Sequence, residues 1–193
     1  MTDAPTTGQW MDSRDGQRWW FDSGALAFDF AYTGGFDGPP EWERWHGPAD
    51  LELWWRERFG AEVAVDETAY RTARELRRAI ARAALAASRD LPLPPDATAV
   101  IDRCAAMPDL PPQLGTPVTP TSDRLLAVVG RDAVAALGRP ERVRDCSADD
   151  CGLVYLDTSR AGSRTWCSMR RCGNRHKVRK LRERRAAEHT KEN

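Results

Sequence analysis

Four cysteines, Cys146, Cys151, Cys167 and Cys172, stand in the chain as two C-x4-C pairs with fifteen residues between the pairs. Two sulfur ligands in each of two local turns can close on one tetrahedral ion, and this spacing is that of a structural zinc site. About forty residues with few large apolar side chains do not offset their own ordering entropy, so this part of the chain needs the ion to fold. Zinc supplies roughly 10–16 kcal/mol of apparent binding free energy in small finger peptides. The competing reading is two disulfides, or four unrelated thiols. Compartment weighs against it. Residues 1–8 carry neither the basic nor the apolar region of a secretory signal, and no run of eighteen apolar residues predicts a membrane span. The expected location is the cytoplasm, where thiols stay reduced and paired cysteines serve metals before disulfides. A catalytic zinc keeps one position open, whereas four sulfurs close the shell.

The segments between these cysteines predict a local architecture. Ser147-Ala148-Asp149-Asp150 is a turn-forming tetrapeptide inside the first pair. Leu153–Leu156 reads as a strand, Ser159–Ser163 as a turn and Arg164–Trp166 as the returning strand of a hairpin. Cys172 then enters the first turn of a basic helix, giving a treble-clef-like order of knuckle, hairpin and helix. The helix dipole and the neighbouring Arg170 and Arg171 favour the thiolate form that binds metal. His176, four residues past Cys172, is a rival ligand by spacing, with an exposed place on the helix as the expectation. The fifth cysteine, Cys104, lies in an apolar helical stretch and is expected to be a buried, inert thiol.

Formal net charge is zero over 193 residues, but the two ends differ. Residues 1–66 carry thirteen Asp/Glu against five Lys/Arg, and residues 139–193 carry fifteen Lys/Arg against eight Asp/Glu. This asymmetry points to an anionic partner for the C-terminal part, or to attraction between the two ends of the folded chain. From Arg170 to Arg185 the one acidic residue is Glu183. The candidate nucleic-acid contacts are Arg170, Arg171, Arg175, Lys177, Arg179, Lys180 and Arg182. Their charges neutralise phosphates, and Arg175 and Arg179, one turn apart, have the reach to pair with guanine in a major groove. Asn174 suits adenine, or else braces the zinc loop through a local backbone bond. Val178 and Leu181 are expected to pack on the hairpin.

Upstream, residues 1–16 read as a loose lead-in and residues 19–30 as a strand, a Ser23-Gly24 turn and a second buried element. Helices are predicted over 49–59, 66–88, 96–106 and 122–137, the last capped by Ser122-Asp123 with Leu125, Leu126, Val129, Val134 and Leu137 inward. On 66–88, Arg71, Arg74, Arg77, Arg78 and Arg82 are expected to point away from the core. The proline-rich stretch 108–120 leaves room for a hairpin about Leu114-Gly115, which its prolines disfavour. Arg139-Pro140 is the candidate boundary, dividing a domain over 17–138 from a finger over 140–188. Seven of eight tryptophans fall in the first 55 residues. They read as a core and its rim, or as an aromatic effector pocket walled by Trp19, Trp20 and Trp54. The predicted class is α+β, mainly helical at the N-terminal side with a short β element. No nucleophile elbow, phosphate-binding glycine loop or paired carboxylates appear, so an enzyme is not expected.

The run Trp166-Cys-Ser-Met-Arg-Arg-Cys172-Gly-Asn-Arg175, with Cys151 through Arg160 before it and Lys177, Arg179 and Lys180 after it, resembles the signature of the CGNR zinc-finger family over residues 140–185. In that family the finger follows a domain called ABATE, and Gly24 through Thr33 resembles the opening of that domain, with Tyr32 where the family usually has Asn. The resemblance implies structural zinc on Cys146, Cys151, Cys167 and Cys172, a mixed but mainly helical N-terminal domain, and a DNA-related role in transcription regulation. From the charge pattern, the alternatives to DNA as partner are an acidic protein surface or an RNA.

Overall fold

The computed structural model describes residues 7–12, 16–34, 36, 42–116 and 118–191, with side chains as far as residue 185. Its elements run β1 (Gln9–Asp12), β2 (Arg18–Phe21), α1 (Leu26–Ala31), α2 (Pro48–Phe59), α3 (Glu67–Ala87), α4 (Pro95–Ala105), α5 (Ser122–Leu137), β3 (Val143–Asp145), β4 (Val154–Leu156) and α6 (Asn174–Lys191). Helices dominate, and the two small sheets are each an antiparallel pair, β1 with β2 and β3 with β4. This is the expected α+β class.

Helix α3 is the centre of the helical part. Asp66 caps it by accepting from the Ala69 amide at 2.7 Å, and its many alanines let α1, α4 and α5 approach closely. Leu76, Ile80, Leu125, Leu126 and Val129 are fully buried between these helices. The six residues of α1 are all buried, and the Asp132 carboxylate of α5 accepts from the Ala27 amide at 2.7 Å, serving one of the orphan donors of a helix that has no side-chain cap. On α2, Trp54 and Trp55 pack around Phe30.

Several expectations are corrected. The lead-in is not loose throughout, because Gln9–Asp12 pairs in register with Arg18–Phe21. Its two apolar residues, Trp10 and Met11, are adjacent rather than alternating, and strand pairing rather than local propensity holds it. Residues 108–116 and 118–121 contain no strand, and Leu114 is fully exposed. Thr121, one residue earlier than expected, caps α5 by accepting from the Arg124 amide. Val134 is 46% exposed rather than inward. Arg77, expected to point outward, is buried because Glu43 receives its guanidinium at 2.7 and 2.5 Å and the Trp45 ring lies 4.8 Å beneath it.

The packing runs across the Arg139-Pro140 position. Val143, Val154 and Leu156 belong to the helical core, while Phe21 and Tyr32 are buried with the cysteines. Strand β3 takes one edge of β4. The other edge is covered from the N-terminal side: the Tyr32 hydroxyl donates to Val154 O at 2.9 Å and lies 2.7 Å from the Val154 amide that donates to it, and Leu156 N donates to Ser23 O at 2.8 Å. No open edge of β4 remains to recruit a foreign strand. Gly24, at φ +78°, permits the approach, since a Cβ there would lie 2.2 Å from Leu156 O.

Candidate metal centre and basic helix

The first cysteine pair sits in a knuckle between two strands. Strand β4 pairs with β3, with Arg144 opposite Tyr155, so the hairpin is closed across Cys146 and Cys151. This corrects the predicted pairing of 153–156 with 164–166. The latter segment is held by single bonds, Thr165 O from Ser147 N at 3.1 Å and Tyr155 Oη to Arg164 O at 2.8 Å. Of the second pair, Cys167 lies just before, and Cys172 within, one turn of π-helix, Met169–Gly173, that leads into α6. The extra residue in that turn turns Cys172 inward. A Cβ at Gly173 would lie 2.9 Å from Met169 Sδ, so a larger residue there would displace that exposed, flexible side chain.

The four Sγ atoms all lie within 4.8 Å of one another, with Cys151–Cys167 and Cys167–Cys172 both at 3.5 Å. A tetrahedral Zn–S shell with bonds of about 2.3 Å has edges near 3.8 Å, so the donor set fits the ion in number, chemistry and size. Cys146, Cys167 and Cys172 are buried and Cys151 is half-buried. The amide of Cys167 donates to Cys146 Sγ at 3.4 Å, as a thiolate acceptor requires. The sulfurs crowd one another strongly enough that their protons are shared unequally: hydrogen bonds from Cys151 and then Cys167 push Cys146 far below an ordinary thiol, and the same contacts push Cys151 and Cys167 up. A divalent cation resolves that crowding by replacing the protons. The ion is structural, because four sulfurs complete the shell.

Comparison with protein-family models matches residues 142–185 to the CGNR zinc finger, and residues 24–140 to ABATE, whose description is "Putative stress-induced transcription regulator". The chain belongs to the ABATE family and carries a CGNR finger after the ABATE region. A comparison with curated proteins finds no match. The two matched regions follow each other in the order the sequence suggested, although the β1–β2 hairpin that packs on the finger precedes the ABATE match.

The predicted contacts of the CGNR helix separate into distinct groups. Arg175 pairs with Asp150 at 3.0 Å and also donates to Cys172 Sγ at 3.2 Å. Arg179 pairs with Asp149 at 3.1 Å, and Arg171 lies 4.8 Å over the Trp19 ring. Arg170, Lys177, Lys180 and Arg182 are exposed. Asn174 donates to the Arg170 carbonyl at 3.2 Å, the bracing arrangement. Val178 and Leu181 are 47% and 41% exposed and do not pack on the hairpin, because the α6 residues that meet the finger past Cys172 are Arg175, His176 and Arg179 on another side of the helix. His176 is not among the clustered ligands; it is half-buried against Trp166, ring centres 4.7 Å apart.

The proposed effector walls do not meet. Trp19 and Trp20 are consecutive on β2, so they face opposite sides of the hairpin. Trp19 packs with Phe21 toward the finger, Trp20 makes an edge contact with Trp10 on the exposed face, and Trp54 lies in the helical core. Cys104 is buried in that core, where burial pushes its thiol up. Arg164 is the residue that sequence reasoning missed. It donates to Asp22 O at 2.8 Å and Cys167 O at 2.6 Å while lying 4.0 Å over Tyr155, so it ties the β2 end to the metal loop. A lone arginine in a predicted strand carried no signal of this. No helix among the described residues is long and apolar enough to cross a membrane.

Proposed function

We propose that the protein is a DNA-binding transcription regulator in which the zinc centre anchors α6 as the reading helix, in the cytoplasm and without catalysing a reaction. One observation carries this reading: over residues 174–185, whose side chains are described, α6 carries cations on every side and buries no apolar face. At about 100° per residue, Lys177, Lys180 and Arg184 fall on one side of α6, opposite Arg175 and Arg179. The knuckle carboxylates therefore occupy one face and leave the other for phosphates. Arg184, which lies outside the set first picked from the sequence, is exposed and completes that face.

A second reading has its own support. Asp149 and Asp150 already sit against Arg179 and Arg175, so carboxylates on an acidic protein surface fit this helix as well. An RNA is the third partner the charges admit. The test is to mix zinc-loaded protein with fragmented genomic DNA, recover the bound fragments and sequence them. A recurring short motif supports the regulator. Combined Lys177→Ala, Lys180→Ala and Arg184→Ala should then weaken binding and reduce the slope of log K against log salt by about 3. Recovery without any motif, or preference for structured or single-stranded RNA, turns the reading to the other partners.

A further inference from the structure

We infer that Arg175 is an outer-sphere residue of the zinc centre, holding the Cys172 thiolate and locking the knuckle to α6, and that it is not a base-reading side chain. The guanidinium makes three bonds at once. Nη1 reaches Asp150 Oδ2 at 3.0 Å, while Nη2 donates to Asp150 Oδ1 and to Cys172 Sγ, both at 3.2 Å. Asp150 directly precedes Cys151, so one planar group bridges the two halves of the ligand set across 25 residues of chain. A cation at this distance from a metal-bound thiolate stabilises its negative charge and lowers its tendency to leave the metal for a proton or an electrophile.

Arg179 provides the internal contrast. Its side chain is 47% exposed against 44% for Arg175, and it also pairs with a knuckle aspartate, Asp149 at 3.1 Å. No sulfur contact accompanies it in the described structure. If both arginines served only as surface ion pairs, their removal would be equivalent and small. If Arg175 serves the metal, its removal should resemble loss of an outer-shell partner, which costs 10- to 100-fold in metal retention. The same assignment explains why Arg175, spaced with Arg179 for a major groove, faces the finger instead.

The test uses the full chain loaded with zinc. Transfer of zinc to a colorimetric chelator should be at least about tenfold faster in Arg175→Ala than in Arg179→Ala. Asp150→Asn, which removes the fork but keeps the cation, should fall between them. In the cobalt-substituted protein, the thiolate-to-cobalt charge-transfer band should move in Arg175→Ala and Arg175→Lys, and stay in place in Arg179→Ala. Arg175→Lys keeps a positive charge and helix propensity, so it answers even if the alanine variant folds poorly. Equal zinc-transfer rates for the two alanine variants, or an unmoved cobalt band in Arg175→Lys, would overturn the assignment. Neither readout involves a nucleic acid, so the result stands apart from the proposed function.

Discussion

The helical core and the finger reach similar burial by different means. Around α3 the closed surface is aliphatic and aromatic, with Trp55, Leu76, Ile80, Leu125 and Leu126 fully buried and helix ends capped by Asp66, Thr121 and Asp132. Such a core stabilises itself by removing apolar area from water. The interior around the sulfurs holds Tyr155, Ala148 and the four cysteines, and two of its rings, Phe21 and Tyr32, come from the N-terminal side. The finger is thus incomplete in two respects: it needs an ion in its centre and a wall supplied by another part of the chain. The difference teaches that the unit to be stabilised by zinc extends beyond the cysteine segment, back to the β1–β2 hairpin.

The largest expected effect breaks the comparison at the metal. Cys172→Ser should abolish stoichiometric zinc retention and unfold the finger, given the roughly 10–16 kcal/mol that structural zinc supplies in small modules. The helical far-UV signal of α3 to α5 should persist; a global loss of helix would show that the core depends on the metal too. In the other direction, Leu126→Ala should lower the unfolding free energy of the helical part by about 2–5 kcal/mol without changing zinc affinity. A parallel fall in zinc affinity would make core and finger one cooperative block.

At the seam, Tyr32→Phe leaves both the Val154 amide and its carbonyl without their shared hydroxyl. That should cost about 2–4 kcal/mol and speed zinc loss, measured by denaturation and by transfer to a chelator. A smaller effect sharpens the N-terminal anchor of this seam. Asp29 is buried, and desolvation raises its carboxyl to about 6 despite bonds from Ser23 and Gly8 and the charge of Arg58. Its folded pKa lies above the unfolded value of 3.8, so the folded state binds the extra proton and stability rises as pH falls from neutrality toward that unfolded value. Between pH 7 and 5.5 this term amounts to roughly 1 kcal/mol, and it should be missing in Asp29→Asn. An identical pH slope in the two proteins would assign the dependence elsewhere.

Much of this was legible in residues with one job. Cysteine spacing located the metal centre, and helical periodicity located α2 to α5. What escaped depends on partners far along the chain. Gln9–Asp12 has too little pattern of its own to announce a strand and exists through β2. The segment of β4 announces a strand, but its pattern says nothing about which neighbour pairs with it, and β3 rather than 164–166 does. Arg175, Arg179 and Arg77 look alike in sequence; Asp150, Asp149 and Glu43 decide their roles. Tyr32, which the pattern alone marks only as one more aromatic, proves to be a group that closes the edge of β4.

Hydrogen exchange of the full chain, with and without a zinc chelator, tests the shared unit most directly. Removal of the ion should release protection in residues 143–175 and, together with them, in 9–12 and 18–24, while α3, α4 and α5 keep theirs. Loss confined to 143–175, with the β1–β2 hairpin still protected, would contradict the account.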